Sequence, residues 1–400
     1  MLGKLVLFLE GEFRTDHILE ATRNIVQELF AMWIVTSLML IFSVLPPAIY
    51  YRKMNKFTQE YSKNHKFGDL PDITVILPVK NEALNVERKI EEVSSMKYPG
   101  GSVEYLIVDS GSTDNTLEIA NSRIKMLENS DCWSVIQLER PGKTLAIKRA
   151  IAIVKTEFFV MMDADTICPE DSLERLMRWF SNPEIGAICG HQNVSDSNHV
   201  GPYRVRFNKL RMAESAFFST PIFEGSLCAF RIDAIENNSL DPEINADDSQ
   251  MALTAIDNGF RAFMDPDLSF DDLGSQKSRK RKVRRAQGLT RVLLRFRKIG
   301  KKNIKIRSII YNSIYFYVLM PWFVLLSMII FSISSFLIVS SLSGILAFVV
   351  AISWALSFSF GIMSRFGRTF LDGISILIES HVRLLLGQRL QVWDTSRVEL

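Results

Sequence analysis

Cysteine is scarce in this sequence: four residues in 400 (Cys132, Cys168, Cys189, Cys228), with no CxxC or paired spacing. That excludes a disulfide framework, offers no zinc site, and suits reduced thiols in a cytosolic compartment. The five histidines (His17, His65, His191, His199, His381) show no ligand spacing. No GxxxxGK[ST] run occurs, so a P-loop is excluded, and no internal repeat is visible. Acidic residues are missing from Lys277 to Arg307, a segment holding 15 Lys and Arg. Charge of either sign is missing from Leu29–Tyr51 and from Ser308–Ser364.

What is present follows from those gaps. The chain is 48% hydrophobic with a mean hydropathy of +0.12, too apolar for disorder and high for an ordinary soluble protein. The net charge of +3 conceals a basic block of +15 against an acidic remainder, 32 basic residues facing 44 acidic. Leu29–Tyr51 is long enough to cross a hydrocarbon core of about 30 Å. Mixed charges precede it and Pro46-Pro47 lie within it, so it is no cleaved signal peptide. One straight helix over Ser308–Ser364 would run roughly 85 Å, so two spans are expected there, turning near Ser340–Gly344. Arg52, Lys53 and Lys56 after the first span, and the basic block before the second, place the intervening segment in the cytoplasm. The expected organisation is an N-terminal segment (1–28), a span (29–51), a cytoplasmic domain (52–276), basic interfacial helices (277–307), two spans (308–364) and a tail (365–400). In the tail, Leu371–Leu390 reads as an interfacial amphipathic helix. A multi-pass protein of the cell membrane is expected.

Between the spans, Ile73–Pro78, Tyr105–Asp109, Trp133–Leu138 and Phe158–Asp163 read as strands. Glu82–Met96, Asn115–Leu127, Thr144–Val154 and Pro169–Phe180 read as the helices between them. Strands alternating with helices predict an α/β fold with a mostly parallel sheet, its ligand site at the strands' carboxyl ends. Chemistry-bearing residues fall at those ends. Pro78-Val79-Lys80-Asn81-Glu82 follows the first strand and Asp109-Ser110-Gly111-Ser112-Thr113-Asp114 the second. A strand-end carboxylate can accept a uracil imide N–H; read alone, Asp109 serves equally as a turn or cap residue. Lys143, behind Pro141-Gly142 at a helix start, suits a phosphate and equally a solvated surface.

Asp163-Ala164-Asp165 closes the apolar strand FFVMM. Two carboxylates there are costly without a cation, and Mn²⁺ or Mg²⁺ bridging a diphosphate would satisfy them. Asp247-Asp248 opens a helix, where acidic residues are ordinary N-terminal partners. The functional alternative makes Asp248 a general base.

In this order and spacing, ILPVKNE, VDSGSTD, PGK, DAD, EGSLCAFR, and DD followed by NGF resemble the family 2 glycosyltransferases with a GT-A (Rossmann-like) fold, over roughly residues 71–290. The flanking spans resemble the membrane-integrated branch that includes hyaluronan, chitin and cellulose synthases. Trp393-Asp394-Thr395-Ser396-Arg397 is similar to the Trp-x-x-Thr-x-Arg ending common there. The resemblance implies that Pro78, Glu82 and Asp109 bind the nucleoside, with Asp109 on uracil and Lys143 close by. It further implies Asp163 on the donor's ribose or sugar, Asp165 on the metal, and Asp248 as catalytic base. Where that branch carries Gln-x-x-Arg-Trp, this chain has Arg281-Lys282-Val283-Arg284-Arg285. The Trp that stacks on the acceptor sugar is gone, while Arg281, Arg284 and Arg285 can face the pyrophosphate.

The expected activity is metal-dependent, inverting transfer from a nucleotide sugar, a UDP-sugar by the resemblance, to a membrane-associated, lipid-linked acceptor. The alternatives are a processive polysaccharide synthase, whose channel an oligomer could line, and an inactive sugar-nucleotide-binding protein. Nucleic acid is not an expected partner: no helix-turn-helix, zinc or RRM signature accompanies the basic block. Anchoring to anionic lipid of the bilayer accounts for it.

Overall fold

The computed structural model describes residues 2–59, 70–193, 201–235, 240–273, 278–301, 303–341, 349, 351–353, 356 and 363–390. The chain divides into two compact units. One comprises residues up to Ile49 with Val318–Ser375; the other comprises Tyr50–Tyr317 with the residues from Ile376 onward.

The larger unit is built on β1 (Ile73–Val79), β2 (Val103–Asp109), β3 (Trp133–Gln137), β4 (Phe158–Met162), β5 (Thr166–Ile167), β6 (Ile185–Gln192), β7 (Leu227–Arg231) and β8 (Arg261–Asp272). They form one sheet in the order β3-β2-β1-β4-β7-β6-β8-β5. Every residue of β1 and β4 is buried, the signature of a sheet covered on both faces. Alternation sorts them: Ile76, Phe159 and Met161 pack with α4 (Lys143–Ile151) and α7 (Asp247–Asp257) on one face. Leu77, Val79, Val160 and Met162 pack on the other with α2 (Val86–Ser94), α3 (Thr116–Ile124) and α5 (Ser172–Trp179). Pro78 sits in β1 beyond Ile76, the last residue of that strand paired to β4, so its missing N–H costs no bond to β4.

The sheet is less uniformly parallel than the sequence predicts. β1–β2, β1–β4, β2–β3 and β6–β8 pair in parallel, but β7 runs antiparallel to both β4 and β6, and β5 antiparallel to β8. The first four expected strands are present within a few residues. The helices are shorter than expected: α2 starts at Val86 because Asn81 adopts φ +51 and a turn joins Asn85 N–H to the Glu82 carbonyl.

The expected N-terminal segment (1–28) and first span (29–51) lie along one helix, α1, from Leu2 to Met54. Two described segments, Gln27–Phe57 and Ile304–Leu337, are long and apolar enough to cross a membrane. They fall within α1 and along α9 (Ile304–Ile314), a π-helical turn (Tyr315–Leu319) and α10 (Met320–Ser341). The turn expected near Ser340–Gly344 and the third span lie largely outside the described residues, as do Trp393–Arg397. The basic block supplies α6's neighbour in the site below, helix α8 (Arg279–Arg295), where α6 is Gly201–Phe217. The tail helix α11 covers Arg365–Leu385 and begins six residues ahead of the expected start.

Candidate active site

The carboxyl ends of β1 and β4, the start of α4, the turn before β7, the start of α7 and one face of α8 converge on a cavity of about 240 Å³. It is lined by Pro78, Glu82, Lys143, Asp163, Asp165, Asp248, Arg281, Arg284 and Arg285. Nine of the ten residues singled out from sequence therefore share one space. The tenth, Asp109, is fully buried and does not line it. The loop after β2 folds back over its carboxylate, which accepts the Gly111 N–H at 3.2 Å, the Ser112 N–H at 3.1 Å and the Ser112 hydroxyl. Gly111 makes this turn possible at φ +73, and these bonds are those of a turn residue.

Lys143 occupies the first turn of α4, and its Nζ donates to Asp163 Oδ1 at 2.8 Å; Ser226 Oγ donates to Asp163 Oδ2 at 3.1 Å. Both side chains are mostly buried, 23% and 16% exposed. Burial opposes the Lys143 charge, but Asp163, then Asp247, hold its pKa above the ordinary value. Burial likewise opposes the Asp163 charge, yet Lys143 and the Ser226 hydroxyl hold its pKa below the usual range. Asp163 is thus already neutralised by the protein.

Asp248 has the opposite environment. Burial, and next the adjacent Asp247 carboxylate, push it up to about 7, against a bond from the Ser249 N–H at 2.6 Å and the Lys143 charge. A carboxylate titrating near neutrality is poised to exchange a proton. Its seat is shaped by Gly225: a Cβ there would stand 2.9 Å from Asp248 Oδ2 and 3.2 Å from its Cβ. Gly225→Ala should displace the carboxylate and lower kcat by about 10²-fold, the cost of roughly 1 Å of misplacement. Steady-state kinetics beside a thermal melt checks this; a normal kcat in a folded variant would show that the carboxylate's seat is not critical.

Helix α8 presents Arg281, Arg284, Arg285 and Leu289 to the cavity at three- and four-residue intervals, one face of a helix. Its close approach to the loop that leads into α7 needs Gly288, where a Cβ would lie 2.2 Å from the Asn245 carbonyl oxygen. Sequence reading missed Arg204 and Phe207 of α6, which also line the cavity. Arg204 pairs with Glu224 at 2.9 Å. No motif in α6 marks these two; only the fold brings them here. Phe223 lines the cavity while packing on Phe230 of the core, whereas Phe217 and Phe218 pack against the core and do not line it.

Among the described residues no group of three or more His, Cys, Asp and Glu could enclose a metal ion. A cavity carboxylate is the kind of oxygen donor Mg²⁺ or Mn²⁺ takes where one or two carboxylates hold it and substrate phosphates and water complete the shell. Asp163 is bonded to Lys143 and Ser226, and Asp165 lines the same cavity two residues further on.

Comparison with known proteins bears on the family and the fold. The family model for glycosyl transferase family 2 matches residues 74–238, and that for glycosyl transferase family group 2 matches residues 158–363, half of the chain. Poly-beta-1,6-N-acetyl-D-glucosamine synthase of Staphylococcus aureus (strain COL) is 30% identical over 151 residues, 36% of this chain and 35% of the relative. Glycosyltransferase AglE of Haloferax volcanii is 31% identical over 129 residues, 32% of this chain and 42% of the relative. These matches span well under half of the relatives' own length. Among solved structures, the mannosyltransferase PcManGT from Pyrobaculum calidifontis, in complex with GDP-Man and Mn²⁺, superposes with a TM-score of 0.76 at 23% identity. It covers 90% of this chain and 99% of that one, a likeness of fold.

Proposed function

Because this chain belongs to the family 2 glycosyltransferases, we propose that it transfers one sugar from a nucleotide-sugar donor to a lipid-linked acceptor at a membrane, with inversion and with a divalent metal. The observation that carries the reading is one cavity holding Asp165, the Lys143–Asp163 pair, Asp248 and three arginines. Pro78 and Glu82 face the nucleoside, and Asp163 the donor's sugar or ribose. The fold likeness to a GDP-mannose complex and the closure of the loop over Asp109 widen the donor choice beyond uridine nucleotides.

Chemically, Asp248 accepts the proton of the acceptor hydroxyl as that oxygen bonds to the anomeric carbon and the carbon–diphosphate bond breaks. Arg281, Arg284 and Arg285 offset the charge gathering on the leaving nucleoside diphosphate. Asp165 would hold Mn²⁺ or Mg²⁺, which when bound would supply further Lewis-acid charge at that diphosphate. Gln27–Phe57 and Ile304–Leu337 cross the bilayer, with the catalytic unit on the cytoplasmic side and the basic block against anionic lipid.

The likeness to a polysaccharide synthase favours a second reading, repeated addition, with an oligomer lining the channel. One assay separates the two: a panel of radiolabelled sugar nucleotides with Mn²⁺ or Mg²⁺ on membrane-reconstituted protein. A single-sugar product in the lipid extract is expected, a high-molecular-weight product supports polymerisation, and no release of nucleotide from any donor rejects transfer.

The Asp248 environment sets the pH response. The base must be ionised, so kcat/KM should fall about tenfold per unit below pH ~7 and level off above it. Stability runs the other way. The folded state keeps this proton up to about pH 7, whereas an ordinary carboxylate releases it near 3.8. The metal-free protein therefore loses this contribution as pH rises through that window. An activity profile flat from pH 5 to 8 would contradict the assignment.

A further inference from the structure

Lys89 is the outstanding buried charge that the reaction does not use. It lies on α2, outside the cavity lining, and is 1% exposed. Its neighbours on the same helix face, Val86, Ile90 and Val93, are apolar core residues, so packing alone calls for no ammonium here. A buried lysine is costly unless paired and hydrogen-bonded. Its Nζ donates to Glu92 Oε1 at 2.7 Å, to the Thr166 carbonyl at 3.2 Å and to Thr166 Oγ1 at 3.3 Å, with Cys168 Sγ at 3.7 Å. Arg88, next to it, donates from Nη2 to the carbonyls of Ala164 at 2.8 Å and Thr166 at 3.0 Å, and from Nη1 to Glu92 Oε2 at 2.5 Å. Glu92 completes the set by accepting the Cys168 N–H at 3.0 Å.

These bonds share a target. They fall on the main chain at residues 164, 166 and 168, on both sides of Asp165. Thr166 extends them by donating from Oγ1 to the Asp163 carbonyl at 2.8 Å. On the opposite side, the Asp165 carbonyl accepts the Leu273 N–H at 2.8 Å. The strand that follows Asp165, β5, has two residues, too few to fix the segment by ladder bonds. We propose that Arg88, Lys89 and Glu92 are positioning residues that clamp the backbone around Asp165 and so set the orientation of its carboxylate toward the metal–diphosphate. This rests on the reading of Asp165 as the metal-holding residue. A structural ion pair would also need its spare donors satisfied; what singles this one out is that its acceptors are the carbonyls flanking one cavity residue. An outer shell orients a ligand in this way, and loss of such partners typically weakens metal binding by 10–100-fold.

The test uses full-length, membrane-reconstituted protein and reads free Mn²⁺ by its EPR signal during titration with UDP or GDP present. Arg88→Met removes three of the clamp's bonds, two of them to the flanking carbonyls, from a side chain already a third exposed, so folding is spared. Lys89→Met removes the buried charge, and Lys89→Arg restores it. Arg88→Met and Lys89→Met should each weaken Mn²⁺ binding by about 10–100-fold, with Lys89→Arg recovering most of it. The Mn²⁺ concentration for half-maximal transfer should move by the same factor, while kcat at saturating Mn²⁺ stays near wild type. If Lys89→Met does not fold, Arg88→Met and Lys89→Arg carry the test. Wild-type Mn²⁺ affinity in folded Arg88→Met would overturn the clamp alone. Absence of nucleotide-dependent Mn²⁺ binding in the unaltered protein would overturn the metal reading and the clamp with it.

Discussion

Asp248→Asn is expected to slow sugar transfer by about 10²–10⁴-fold, the usual worth of a positioned general base, with nucleotide binding retained. Asparagine keeps the size of the side chain, and its carbonyl oxygen can still accept the Ser249 N–H now bonded at 2.6 Å. What it cannot do is take a proton. It also relieves the repulsion from Asp247, one of the causes that lift Asp248 to about 7. The variant should therefore melt no lower than wild type, and the descending acid limb of its pH profile should vanish. Those companion readouts separate loss of a base from loss of structure, since a collapsed site would lower nucleotide affinity and the melting temperature together. Turnover like that of the unaltered protein would sink the assignment and move attention to Asp247, which is 7% exposed and lines the same cavity.

Much of this site was legible in the sequence because its chemistry sits at strand ends. ITVILP and FFVMM announce buried strands by composition, and the first charged residues after them, Lys80, Glu82, Asp163 and Asp165, must stand where the sheet opens to solvent. Asp109 shows the limit of that logic. Its strand was read correctly, but whether a carboxylate faces a ligand or its own loop depends on backbone donors two and three residues on. The antiparallel half of the sheet was hidden for a different reason. LCAFR is a short apolar run, consistent with a buried strand of either direction, and its pairing with both β4 and β6 is fixed only by tertiary contacts. Arg204 and Phe207 were invisible because helix periodicity marks which residues share a face, not what that face meets. Gly288 was equally silent until the Asn245 carbonyl was seen beside it.

Asp165→Ala is expected to reduce transfer by at least about 10²–10³-fold, the equivalent of the several kcal/mol a metal contributes to charge at a departing diphosphate. The two aspartates of the 163–165 segment make this a sharper test than removing either at random. Asp163 is bonded to Lys143 and Ser226, so its replacement would break a mostly buried ion pair and confound binding with folding. The backbone at Asp165 is held independently of its carboxylate, through its own carbonyl to Leu273 and through the bonds at Ala164 and Thr166. Alanine there should preserve the fold, and calorimetric nucleotide binding, which Mn²⁺ is expected to strengthen in the unaltered protein, should become indifferent to Mn²⁺. If Asp165→Ala still shows Mn²⁺-stimulated binding and transfer, the metal is held elsewhere and Asp165 has another task. If transfer in the unaltered protein is itself insensitive to Mn²⁺, Mg²⁺ and chelator, the arginines of α8 and Lys143 carry the diphosphate charge alone. Arg285→Ala would then show the larger loss of the two.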